Sequence, residues 1–427
     1  MRHRDGTLTL SATDLANFLA CRHRTAMEME FATGLREKPK YDDPLLELLF
    51  QRGDDHEKAY VASIVASGRS VVDLSHIGAR EQLLTATLAA MRRGVDVIVQ
   101  GALANGQWYG KPDLLQRVPH PSALGDWSYE VADTKLARET RVGAVLQLGL
   151  YSEMLGIAQG SAPVNFHVVT PDPDQPVHTF RVDDYAAYFR LVRDQLAQMV
   201  TRETASIIAE HYPEPVEHCQ ICPWSGPCMH TRRKDDHLSL VAGITRNQRR
   251  ELVAHGAHTL ADLGRMVLPL PFKPDRGSVE SFIRVREQAR LQLDSRDNPP
   301  PPKFETRDIV AEQGLCRLPE PTPGDLFLDL EGDNMAIEGG REYLFGLVSI
   351  GADGTPAYRS WWAYDDKGEQ EGFEQVMDVI AESMAKHPGM HVYHYAPYEV
   401  TAFKRLMGHY ATREDELDAM LRGGRFV

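Results

Sequence analysis

GVDVIVQGAL (94–103), QWYGKPDLLQRV (107–118) and WSYEVADTKLA (127–137) are the stretches that decide how this chain folds. Each is rich in β-branched and aromatic residues, and Asn105-Gly106 separates the first two, the residue pair that a tight hairpin turn favours. Three consecutive strands are expected. Side chains two apart on a strand point the same way, so Asp133 and Lys135 should share a face. With Asp113 on the neighbouring strand, two carboxylates and one ammonium would converge.

Outward from this meander the period changes. Residues 11–35 read as a helix capped by Ser11 or Thr13, and 44–67 as a second helix rich in leucine and valine. Beyond the meander come a helix at 142–157, strands at 164–171 and 178–183, and a long helix over about 184–210. Helix, β-meander, helix and strand in that order define a mixed α/β core. HYPEPVEHCQICPWSGPC (211–228) is a proline-punctuated knuckle. In the helical stretch that follows, LVAGITRNQRRELVAHGAHTLADL (240–263) predicts paired helices around Gly243-Ile244 and a turn at His255-Gly256. NPPPPK (298–303) and PEPTPGD (319–325) read as linker. DLFLDLEGDN (325–334), EYLFGLVSIG (342–351) and PAYRSWWAY (356–364) then read as strands, followed by a helix at about 370–386, the strand MHVYHY (390–395) and a helix near 399–407. Three domains are expected, at 1–234, 235–320 and 321–427, the last ending as though inside a domain.

A chain of 427 residues exceeds what one core usually organises. No apolar stretch approaches the ~20 residues of a membrane span, and MRHRDGTLTLSATD lacks the apolar segment of a secretory signal. A cytoplasmic location without membrane contact is the expectation. The net charge of −14 argues against a protein that coats nucleic acid by bulk positive charge. It leaves room for a protein whose carboxylates hold cations and whose nucleic-acid contacts are local. Five cysteines in such a compartment point to ligation rather than disulfides.

Asp113 and Asp133 suit Mg²⁺ or Mn²⁺, which prefer oxygen ligands. Lys135 can orient a metal-bound water and offset negative charge in the transition state. Gln147 and Tyr151, four apart on a helix, share one face. His56, in RGDDHEKAY, can supply a nitrogen ligand. Cys219, Cys222 and Cys228 lie within ten residues, with Cys21 far upstream, and four thiols fit either a [4Fe–4S] cluster or zinc. Cys316 has no partner and reads as an ordinary thiol.

In this order the residues resemble the RecB-like PD-(D/E)xK nucleases, whose arrangement is a helical His, an Asp, (Asp/Glu)-x-Lys and Gln-x-x-x-Tyr. The resemblance implies a restriction-endonuclease-like mixed-sheet core. It makes His56, Asp113 and Asp133 metal ligands, Lys135 the catalytic lysine, and Gln147 and Tyr151 substrate-side residues. One isolated and three clustered cysteines resemble the iron–sulfur branch of that family, including CRISPR-associated exonucleases and AddAB-type nuclease domains. There a [4Fe–4S] cluster, with zinc as the alternative, would clasp the first helix to the domain's end. Residues 240–263 resemble a helix–hairpin–helix element, with Thr245 where a second glycine is common.

Asp329 and Glu331 alternate on an apolar strand and share a face. They resemble the first motif of DEDD-type, RNase H-like exonucleases, and Glu399 is placed like the second acidic motif, where aspartate is usual. The layout as a whole is similar to RecB-like nucleases that precede a helicase. No GxxxxGK[ST] loop occurs, so this chain alone is not expected to hydrolyse ATP. The implied function is a metal-dependent exonuclease acting on single-stranded DNA ends in repair, recombination or defence, with a helicase as partner in the same chain or in trans. The alternatives are a non-catalytic DNA-binding scaffold of a helicase–nuclease, and a nuclease whose activity resides at Asp329 and Glu331.

Overall fold

The computed structural model describes every residue except 5, 41–42, 138–139, 173–174, 335 and 338, and of Arg4 the backbone alone. The chain divides into two compact units, Met1–Phe304 and Glu305–Val427. The first opens with β1 (Arg2–Arg4) and β2 (Thr7–Thr9), then α1 (Ala12–Ala20) and α2 (Arg22–Ala32). The single helix expected over 11–35 is thus two helices. Cys21 takes an extended backbone at the junction, and its sulfur accepts the Arg24 N–H at 3.4 Å, capping α2. Next come α3 (Pro44–Ala66), β3 (Val71–Asp73) and α4 (Arg80–Arg92). Pro44 stands at the first position of α3 behind the Asp43 cap, where a missing N–H costs nothing.

The expected meander is broken twice. Gln100, at φ +52°, and Gly101 interrupt its first stretch, and Lys111, Pro112 and Asp113 interrupt the second. A left-handed residue cannot continue a strand, and proline offers no ladder N–H. The products are β4 (Val97–Val99), β5 (Leu103–Asn105), β6 (Trp108–Gly110) and β7 (Leu114–Val118), followed by β8 (Ser128–Thr134). β5 and β6 form the hairpin on Asn105-Gly106, with Gly106 at φ +55°. β4 pairs past it with β7, Val99 opposite Leu114. The two breaks therefore meet, and the Gln100 N–H donates to the Asp113 carbonyl at 2.8 Å.

α5 (Val142–Gln159), β9 (Asn165–Val169), β10 (Val177–Arg181) and α6 (Val182–Met199) complete a six-stranded sheet in the order β10-β9-β8-β7-β4-β3. β3/β4 and β8/β9 are parallel pairs; the rest are antiparallel. Both faces are covered. Tyr129 and Val131 of β8 pack into the large core that includes Leu146, Leu150 and Met154 of α5, while Ala132 joins Leu114, Val97 and Ile64 of α3 on the other side. Burying each such large apolar side chain contributes about 1.5–3 kcal/mol, so β8 is pinned in register from both sides.

Downstream lie α7 (Thr204–Glu210), α8 (Ser225–Lys234), α9 (Arg246–Ala254), α10 (Leu260–Arg265) and α11 (Val279–Asp297). The last three share a core of Leu252, Leu263, Phe282 and Ala289. α9 and α10 are joined at His255-Gly256, with Gly256 at φ +85°. No helix pair surrounds Gly243-Ile244: what precedes is a single 3-10 turn, Leu238–Leu240, and Thr245 caps α9, its hydroxyl accepting the Gln248 N–H at 3.2 Å.

The second unit comprises β11 (Leu326–Asp333), β12 (Arg341–Ile350), β13 (Pro356–Trp362), α12 (Asp366–Lys386), β14 (Val392–Tyr393), α13 (Tyr398–Tyr410) and α14 (Glu414–Arg422). Its sheet runs β13-β12-β11-β14, antiparallel except for β11 with β14. Leu326, Leu328 and Leu330 face a core with Phe345, Phe373 and Phe403. The intervening Phe327, Asp329 and Glu331 face outward, as a period of two requires. Both units are α/β. Among the described residues, no helix is long and apolar enough to cross a membrane.

Candidate active site

Register places the first carboxylates. Leu114 pairs with Ala132, so Asp113, one residue before β7, stands opposite Asp133 on β8. Asp133 is fully buried. Its Oδ1 accepts the Gln147 amide at 3.3 Å. Its Oδ2 is in an ion pair with the Lys135 ammonium but has no aligned hydrogen bond among the described residues. Burial, and then the negative charge of Asp113, push the Asp133 carboxyl up to about 8. Asp113 is half-buried, and its Oδ2 accepts both the Thr134 N–H at 2.8 Å and the Thr134 hydroxyl at 3.0 Å. Two carboxylates are thus held face to face with the Lys135 ammonium beside them, the situation a divalent ion relieves.

Gln147 and Tyr151 of α5 extend this cluster. The Gln147 amide reaches the Tyr151 hydroxyl at 3.4 Å as well as Asp133. The phenol also receives the Lys111 backbone N–H, and burial raises its pKa. The Tyr151 ring lies so close to Gly110 that a Cβ there would sit 2.3 Å from it.

On α3, the structure turns His56 to the Val169 carbonyl, with Nε2 3.3 Å away, and not to Asp113 or Asp133. The carboxylate that faces Asp113 belongs to the next residue, Glu57. Gln100 links them, its amide 2.7 Å from Glu57 Oε1 and 3.5 Å from Asp113 Oδ1. Burial raises the Glu57 carboxyl, and the Asp113 charge adds to it. Sequence reasoning passed over Glu57 and Gln100. Glu130, on the opposite face of β8, is engaged elsewhere, accepting the Asn165 N–H at 2.8 Å and pairing with His167 at 2.9 Å.

Cys21, Cys219, Cys222 and Cys228 line one small cavity beside Arg24 and Trp224. The Cys219 sulfur accepts the Val216 N–H at 3.4 Å, as Cys21 does that of Arg24. The Trp224 indole N–H donates to Glu28 of α2 at 2.9 Å, tying the knuckle to the first helices. Burial raises the Cys21, Cys222 and Cys228 thiols and the neighbouring sulfurs add to it, Cys228 reaching about 11. Cys316 is exposed and free. Among the described residues, no three His, Cys, Asp or Glu side chains stand close enough to hold a metal ion as they are.

In the second unit, Asp329 and Glu331 are exposed on one face of β11. Glu399 is buried at the start of α13, and its Oε2 lies 3.2 Å from His394 Nδ1. It is turned to that imidazole rather than to the β11 pair. The neighbouring Tyr398 lies near Glu331 and bonds Glu342 at 2.9 Å.

Sheet order, the outward carboxylates on β11 and the helices after β13 make this unit a compact α/β domain. Residues 326–422 match the RNase_H_2 model of the RNase H superfamily. This unit is therefore RNase H-like, a kind of domain that works on nucleic acid with divalent metals such as Mg²⁺. No curated protein matches the chain.

Proposed function

We propose that Met1–Phe304 is a RecB-like PD-(D/E)xK nuclease that hydrolyses phosphodiester bonds of DNA from single-stranded ends. A six-stranded mixed sheet flanked by α3 and α5 supports the restriction-endonuclease-like reading of its core. The observation that carries the proposal is the wholly buried Asp133, its carboxyl pushed up by Asp113, with Lys135 against the same oxygen. This donor set fits Mg²⁺ or Mn²⁺ held by Asp113 and Asp133, with Glu57 as a further carboxylate in place of His56, which is turned to the Val169 carbonyl. When bound, the cation acidifies a water and neutralises charge on the phosphoryl oxygens. Lys135 orients the nucleophile and offsets the charge that develops on phosphate. Gln147 fixes the Asp133 rotamer, and Tyr151 fixes Gln147.

The four cysteines are proposed to hold a [4Fe–4S] cluster, with zinc as the alternative. Shared lining of one cavity and two N–H···S bonds support this role. Such a clasp closes the chain between the α1–α2 junction and α8.

The test is degradation of end-labelled single-stranded DNA with Mn²⁺. Asp133→Ala and Lys135→Ala are expected to slow it by roughly 10²–10³-fold; rates equal to wild type would remove the site from catalysis. The family match and the exposed Asp329/Glu331 pair favour a second reading, in which the RNase H-like unit cleaves. Loss of activity in Asp329→Ala, with Asp133→Ala unaffected, would establish it instead.

A further inference from the structure

Tyr151 also lines a cavity of about 500 Å³, bounded by Tyr109, Lys111, Arg80 and Arg2. Cavities of this size accommodate small ligand groups. Its electrostatics are one-sided. The chain carries a net charge of −14, yet among the described residues the charged side chains on this wall are Arg2, Arg80 and Lys111, with no Asp or Glu. Among the described residues none of the three cations has a carboxylate partner. The Arg80 guanidinium lies 4.5 Å over the Tyr109 ring, a contact with the ring face that uses none of its N–H donors. The hydroxyls of Ser11, Thr13 and Ser75 complete a polar lining. A concave surface lined by one sign of charge concentrates ions of the other.

The cavity adjoins the carboxylate cluster. Lys111 is two residues before Asp113, its backbone N–H bonds the Tyr151 hydroxyl, and Tyr151 bonds Gln147. We propose that this cavity binds a phosphate of the nucleic-acid strand beyond the scissile position and so anchors the strand whose next linkage lies at Asp113 and Asp133. The inference rests on the nuclease reading of that site. Terminal phosphomonoesters and internal phosphodiesters share the required chemistry.

Fluorescence anisotropy in EDTA tests it without cleavage, using labelled oligothymidylate of about 12 nucleotides bearing a 5′-phosphate, a 5′-hydroxyl or a 3′-phosphate. Arg80→Gln and Lys111→Gln are expected to weaken binding roughly five- to ten-fold each, and to reduce the slope of log affinity against log salt by about 0.7 per lost contact. Arg80→Lys, which keeps the charge, should retain the slope, separating loss of charge from loss of fold. Lys367→Ala, on the second unit, should match wild type. Wild-type preference for one phosphorylated end, abolished in Arg80→Gln, identifies a terminal phosphate; equal weakening on all three probes identifies an internal one. Affinities within about two-fold of wild type and unchanged slopes in both glutamine variants would overturn the proposal. Cleavage assays keep the two claims apart. Intact cleavage with unaltered binding removes the pocket alone, while weakened binding by an enzyme that never cleaves removes the nuclease reading alone.

Discussion

Adding one methyl group at Gly110 should disable the cluster from a distance. A Cβ there would lie 2.3 Å from Tyr151 Cε1, 2.9 Å from Cδ1 and 3.2 Å from Met154 Cε. Restoring van der Waals contact requires the ring to retreat by about 1 Å against the side chains packed around it. Tyr151 is only 6% exposed and Met154 1%, so neither escapes into solvent. Overpacking of this kind costs about 1–3 kcal/mol, a fall in melting temperature of roughly 2–10 °C for a unit of this size. Displacing the phenol also removes the support of Gln147 and thereby of Asp133, and a shift of about 1 Å near reacting groups can cost on the order of 100-fold in rate. Thermal unfolding and single-stranded DNA cleavage by Gly110→Ala measure the two effects. Tyr151→Leu removes the atom that clashes, so the double variant should be less destabilised than the sum of the single ones, by about 1 kcal/mol or more. A Gly110→Ala protein that melts and cleaves like wild type, or strict additivity in the pair, would refute this reasoning.

Cys228→Ser should abolish absorbance near ~400 nm in anaerobically purified protein and lower its melting temperature; a colourless wild type containing zinc selects the alternative metal. Glu214 bonds His237 at 3.0 Å and Arg249 at 2.9 Å. The His237 bond, and then that of Arg249, outweigh burial and hold its carboxyl down to about 2. A depressed folded-state value means that stability is fully present above the ordinary carboxylate range, near ~4.3, and is lost as pH falls toward 2. Glu214→Gln should therefore flatten the decline in melting temperature between about pH 4.5 and 2.5; an unchanged decline contradicts the assignment. Glu57→Gln should weaken Mn²⁺ binding measured calorimetrically, whereas affinity equal to wild type would place Glu57 outside the metal's reach.

Much of this arrangement can be read before folding is considered, and the exceptions have physical causes. The Asn105-Gly106 hairpin and the outward Asp329 and Glu331 follow from turn chemistry and a period of two. The opposition of Asp113 and Asp133 needs strand register, which Pro112 signals only as a break. The left-handed kink at Gln100 has no local signature, because glutamine has no preference for that conformation. Yet that kink brings Gln100 between Glu57 and Asp113. Glu57 stands beside His56, the more obvious ligand by residue type; neighbours on a helix point about 100° apart, and only the packing of α3 decides which one faces inward. The break at Cys21 has no Gly or Pro to announce it and is fixed instead by N–H···S capping. Glu399 turns inward to His394 after Ala396 takes φ +64°, again at a residue with no such tendency.

The most direct test of the central claim is the anomalous difference density of Mn²⁺ in crystals of the protein. The account predicts an ion within about 2.0–2.3 Å of carboxylate oxygens from both Asp113 and Asp133. An ion bound at Asp329 and Glu331, with Asp113 and Asp133 left bare under the same conditions, would contradict it.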